Sequence, residues 1–123
     1  MHSRLQQMLA AIEWRLSNTD IITFKIGKSD DSQRRFLLYN EPYHYLGIVA
    51  IGTNQNINQA EIDLINWAMN NSSICHKCQN TNGGGGGNPD ATELYIVARK
   101  ANADCGEHLL DPDNLFDFHP INI

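Results

Sequence analysis

Residues 43–51, Tyr-His-Tyr-Leu-Gly-Ile-Val-Ala-Ile, constrain the fold more than any other stretch of this chain. Leu46, Ile48 and Ala50 alternate with Tyr45, Val49 and Ile51, so a strand here is apolar on both faces. Such a strand belongs inside a sheet and needs cover on both sides. Asn40-Glu41-Pro42 before it is a turn, and residues 52–56 after it form a polar loop.

The flanking segments supply the cover. Leu5, Met8, Leu9, Ile12 and Leu16 recur at spacings of three and four, which predicts an amphipathic helix over 3–16. Ser3 with Gln6 fits a capping box at its start. Ile57, Leu64, Ile65 and Ala68 predict a second such helix over 57–70. Residues 21–27 alternate as a strand that Gly27 closes, and residues 29–39 read as a short helix capped by Ser29 or Asp30. Residues 72–89 are a loop with five consecutive glycines at 83–87. Residues 93–99 form the third strand. The order predicts an α/β (α+β) domain, a small three-stranded or slightly larger sheet flanked by helices.

At 123 residues the chain has room for one domain, expected over 1–103, with a loosely packed acidic tail over 104–123. No apolar run approaches the ~18 residues of a membrane span, and residues 1–16 lack the continuous apolar core of a secretion signal. A soluble, cytoplasmic protein is expected. The net charge of −5 argues against a broad electrostatic grip on nucleic acid. The charge is uneven, however. Lys25, Lys28, Arg34 and Arg35 cluster within eleven residues, while much of the acidity lies in the tail, so a local basic site is compatible with the total.

Four features follow in order: 23-TFKIGKSDDSQRRF-36, 60-AEIDLI-65, 80-NTNGGGGGN-88 and 93-ELYIVARK-100. The first three resemble, in order and spacing, the GIY-YIG nuclease superfamily over residues 21–100. In that family a strand ending in Tyr-Ile-Gly precedes a helix with a catalytic Arg. A later helix gives a metal-binding Glu, and an Asn follows. Two departures stand out. Phe24 and Lys25 flank the expected Tyr-Ile-Gly tyrosine position, and no Gly-Ile-Tyr strand precedes them. The apolar-Tyr-apolar strand around Tyr95 matches the missing first strand if the core is circularly permuted. Tyr95 would then lie beside the strand of Phe24, covering an edge that would otherwise be open to aggregation.

The resemblance implies a metal-dependent endonuclease acting on DNA or RNA, with DNA the first expectation. Arg35, with Arg34 next, would stabilise charge on the phosphoryl oxygens. Glu61 would hold Mg²⁺ or Mn²⁺. Tyr95, Tyr39 or His44 would serve as general base, and Lys25, Lys28, Asn82 and Asn88 would contact nucleic acid. Each residue also has a plainer reading. Glu61 fits a capping box started by Asn58, the arginines fit a solvated helix face, and the asparagines fit turns. The lost tyrosines and net acidity suit a catalytically inactive binding module as the alternative function.

The cysteines carry a separate signal. Cys75-x₂-Cys78 and Cys105-x₂-His108 have the composition of a Cys₃His structural zinc shell. Ordinary loop thiols are the other reading. The glycine run lacks the Lys-Ser/Thr and the following helix of a nucleotide-binding P-loop, and reads as a flexible loop.

Overall fold

The computed structural model describes residues 1–81, 87–103 and 111–123. Its helices flank a mixed five-stranded sheet, an α+β fold. The helices are α1 (Ser3–Ser17), α2 (Ser32–Leu37) and α3 (Asn54–Met69). The strands are β1 (Ile21–Ser29), β2 (Tyr45–Ile51), β3 (Glu93–Lys100), β4 (Asp113–Asn114) and β5 (Ile121–Asn122). The spatial order is β1-β3-β2-β4, with β5 also paired to β2.

The strand around Tyr95 lies beside the strand around Phe24, as the permuted arrangement requires. β1 pairs antiparallel with β3, placing Phe24 opposite Ala98 and Gly27 opposite Tyr95. β3 pairs antiparallel with β2 on its other side. β2, apolar on both faces, is an inner strand.

Strand parity sorts the core into two layers. Leu94, Ile96 and Ala98 join Phe24 and Ile26 under α1 and α3, which contribute Leu5, Ile12, Leu16, Ile57, Leu64 and Ile65. Tyr95 and Val97 point the other way, where they pack with Phe36, Tyr43 and Leu46 under α2. Met8 and Leu9 are partly buried against the larger cluster.

Several expectations change. Over the described residues 111–123 the C-terminal stretch is not loosely packed. β4 and β5 add parallel to β2, and Leu115 and Phe116 are buried in the main core. A Cβ on Gly47 would overlap the Phe116 ring, so the bare strand surface there is the seat of the tail. The helix starts also move. The His2 imidazole, not Ser3, caps α1. Asp31, not Ser29 or Asp30, caps α2. Thr53 caps α3, so Asn58 and Glu61 lie inside that helix and the Asn58 capping box does not form.

The open edge of β1 is covered by the segment after α3. Cys78 forms a parallel bridge with Phe24, and the Gln79 amide donates to the Phe24 carbonyl at 2.8 Å. Asn80 completes the cover with its side chain. Its Oδ1 accepts from the Ile26 amide at 2.9 Å, and its Nδ2 donates to the Ile26 carbonyl at 2.9 Å. A side-chain amide thus stands in for a strand and satisfies both backbone groups of an edge residue.

Candidate active site

A cleft of about 1060 Å³ opens at the β1 edge, where β1, α2, α3 and the loop after α3 meet. Its lining brings together Lys25, Lys28, Arg34, Arg35, Glu61, Asn88 and Tyr95, every one of which the sequence had marked as a site residue. Tyr39 and Asn80 line it as well. Asn82, Cys105 and His108 lie outside the described residues.

The position of Arg35 follows from how α2 is anchored. Asp31 accepts from the Arg34 amide at 3.2 Å. Glu93, at the start of β3, accepts from the Ser32 amide at 2.8 Å. Two carboxylates thereby satisfy orphan donors at the helix start and tie α2 to the central strand. Arg35 then projects into the cleft, with its guanidinium 4.9 Å from the Tyr39 ring centroid and Tyr95 lining the same cleft.

Tyr39 and Tyr95 share a short hydroxyl–hydroxyl hydrogen bond of 2.5 Å. The Lys25 ammonium also lies against the Tyr39 ring, 5.6 Å from its centroid. Burial pushes the Tyr95 hydroxyl well above the usual phenol range, and Tyr39 adds to the shift while Arg35 opposes it. Tyr95 is therefore a firmly protonated group at neutral pH. Arg35 is held above its ordinary value; burial pulls it down, but Tyr95 and Tyr39 outweigh that.

Tyr95 reaches this position because Gly27 faces it. A Cβ on Gly27 would come within 2.5 Å of both the ring and the hydroxyl of Tyr95. On β1 itself, Phe24 is buried in the main core while Lys25 lines the cleft. Of the two residues flanking the expected tyrosine position, Lys25 is the one that faces the site.

Glu61 comes from the buried stripe of α3. It is 7% exposed, and its Oε1 lies 3.8 Å from the Lys28 ammonium. Lys28 also donates to Asn58 Oδ1 at 2.9 Å. Among the described residues no group of three or more His, Cys, Asp or Glu could hold a metal ion. The cleft is lined by the carboxylates of Asp30, Asp31 and Glu61 together with Lys25, Lys28, Arg34 and Arg35, so a Mg²⁺ ion here would take carboxylate from the chain and the rest of its ligands from water and phosphate.

Two proposed roles move elsewhere. His44 is buried and receives the Lys100 amide on Nδ1 at 3.1 Å, away from the cleft, so it is not a base for this site. Asn88 turns its side chain onto the Asp90 amide at 2.9 Å as a local turn, although it remains at the cleft wall. Asn80 is the residue that spacing alone did not single out. Its signal was only membership in an Asn-rich loop, because an amide that pairs with a strand edge has no periodicity to read. Cys75 is exposed and Cys78 half-buried.

No helix among the described residues is long and apolar enough to cross a membrane. Comparison with protein-family models, curated proteins and solved structures finds no match.

Proposed function

We propose that this cleft binds a nucleic-acid phosphodiester and hydrolyses it with a divalent metal, as a circularly permuted relative of the GIY-YIG endonucleases. The observation that carries the reading is convergence. Arg35, Tyr39, Tyr95 and Glu61 come from α2, the turn after it, the central strand and α3, and all line one concave surface. Remote residues that meet in a cleft with a perturbed titratable group favour chemistry over coincidence.

The chain's own residues divide the work. Arg35 faces the phosphoryl oxygens, where charge grows as the bond to the leaving oxygen lengthens. Tyr95, held protonated, donates a hydrogen bond to the Tyr39 oxygen, and Tyr39, entering the step as the phenolate, takes a proton from the attacking water and becomes the phenol while the hydroxide attacks phosphorus. Lys25 and Arg34 hold flanking phosphates. Glu61 would hold Mg²⁺ or Mn²⁺, which when bound polarises the phosphodiester and neutralises the leaving oxygen. DNA in a cytoplasmic setting is the first substrate, and RNA is the second.

Lys25 at a cleft-facing position where the related family has tyrosine favours the second reading, an inactive nucleic-acid-binding module. The two separate in one assay. Purified protein is incubated with labelled duplex DNA, single-stranded DNA and RNA in Mg²⁺ or Mn²⁺, beside Glu61→Ala. Metal-dependent cleavage lost in Glu61→Ala supports the nuclease. Binding without cleavage leaves the module.

A further inference from the structure

Lys28 and Glu61 meet at the seam between β1 and α3. The ammonium is anchored on Asn58 Oδ1 at 2.9 Å and leans on Glu61 Oε1 at 3.8 Å. Both side chains are more than nine-tenths buried, at 4% and 9% exposed. A carboxylate this buried is costly unless a cation compensates it. Here a cation from the chain does so, within the cleft where a metal would be expected to sit.

We propose that Lys28 is a resident counter-cation that competes with divalent metal for Glu61, so that it sets how tightly the site takes metal. The proposal rests on the reading of Glu61 as the metal-holding residue. Two cations drawn to one carboxylate in a partly desolvated site repel each other strongly. The lysine must therefore give way when metal arrives. It is suited to do so, because its charge is a compact point on a flexible four-carbon stem and its firmer bond is to Asn58, not to the carboxylate. The ammonium holds the Glu61 carboxylate in place while the site waits. It also makes metal binding weak in the free protein.

The test measures Mn²⁺ binding to the whole chain by calorimetry and electron paramagnetic resonance, without substrate. Lys28→Gln is expected to bind Mn²⁺ at least tenfold more tightly than the unmodified protein, which corresponds to about 1.4 kcal/mol. Lys28→Arg keeps the charge and is expected to stay weak. Glu61→Gln is expected to lose the site. Equal or weaker binding by Lys28→Gln would overturn the proposal.

Should Lys28→Gln not fold, the unmodified protein gives the answer by nuclear magnetic resonance. On Mg²⁺ titration the Lys28 side-chain and Glu61 carboxylate signals are expected to shift together. A static Lys28 beside a moving Glu61, or no movement of either, overturns the exchange. Cleavage assays on the same preparations keep the two readings apart. Metal exchange without cleavage upholds the exchange and retires the nuclease. Metal-dependent cleavage by a protein whose Lys28→Gln variant binds Mn²⁺ no more tightly than the parent retires the exchange alone.

Discussion

Gly27 and Tyr95 sit directly opposite each other on paired strands, and the tyrosine ring occupies the space that a Cβ on Gly27 would fill. That one missing atom lets a residue of the central strand reach across to the sheet edge. There its hydroxyl meets Tyr39 in the cleft that Arg35 also lines.

Gly27→Ala should therefore push Tyr95 out of its seat. Overpacking a tight site costs roughly 1–3 kcal/mol. Urea denaturation should show a loss of that order, and phosphodiester cleavage should fall with it. An alanine variant as stable as the parent would mean that the ring has room to move.

Tyr95→Phe keeps the ring and removes the hydroxyl. Cleavage should drop by roughly the 10²–10⁴-fold typical of a lost proton-transfer group, if Tyr95 aims Tyr39 as proposed. The measurement is a single-turnover rate, with Tyr39→Phe beside it. A Tyr95→Phe rate within twofold of the parent would remove Tyr95 from the mechanism.

The same hydroxyl predicts alkaline sensitivity. Burial raises the Tyr95 pKa above its unfolded value, and Tyr43 is raised likewise by burial and by Glu41. In each case the folded state holds its proton more tightly. The stabilisation is fully present below the unfolded phenol value of about 10 and is lost as pH climbs above it. Unfolding free energy should thus be insensitive to these groups up to about pH 9 and decline beyond about pH 10. Tyr95→Phe should flatten the decline.

Much of this arrangement was legible in the sequence. Period-two and period-3.6 patterns located α1, α3 and the three long strands. An unpaired β1 edge needed another strand, and the segment around Tyr95 was there to supply it. The tail was not legible. Leu115 and Phe116 are buried, but β4 and β5 are two residues each and sit among Asp, Asn and Pro, so no period could form. The Lys28–Glu61 pair was hidden for a different reason. Both residues read as separate site candidates, and only the packing of α3 on β1 joins them.

Phe116→Ala tests the tail directly. Phe116 is buried, stacks on Phe118 at 4.6 Å and covers Gly47. Removing it should cost about 3–5 kcal/mol, the range for a core aromatic. A surface-like loss under about 0.5 kcal/mol would return the segment to a loosely packed tail.

Asn80→Ala should expose the β1 edge. It removes both side-chain partners of Ile26 and should cost about 1–3 kcal/mol. Hydrogen exchange at the Ile26 amide should quicken well before that of the inner strands. Unchanged protection there would show that the clamp is dispensable.

Whether Arg35 and Glu61 act on one phosphodiester is settled most directly by a double-mutant cycle. Single-turnover cleavage of labelled DNA in Mg²⁺ is compared for the parent, Arg35→Ala, Glu61→Ala and the double variant. Residues that work as one unit are strongly non-additive. Each single change should nearly abolish cleavage, and the double variant should be no slower than the slower single. A parent protein that leaves the DNA intact, or variants that cut as fast as the parent, would contradict the assignment of this cleft as a nuclease site.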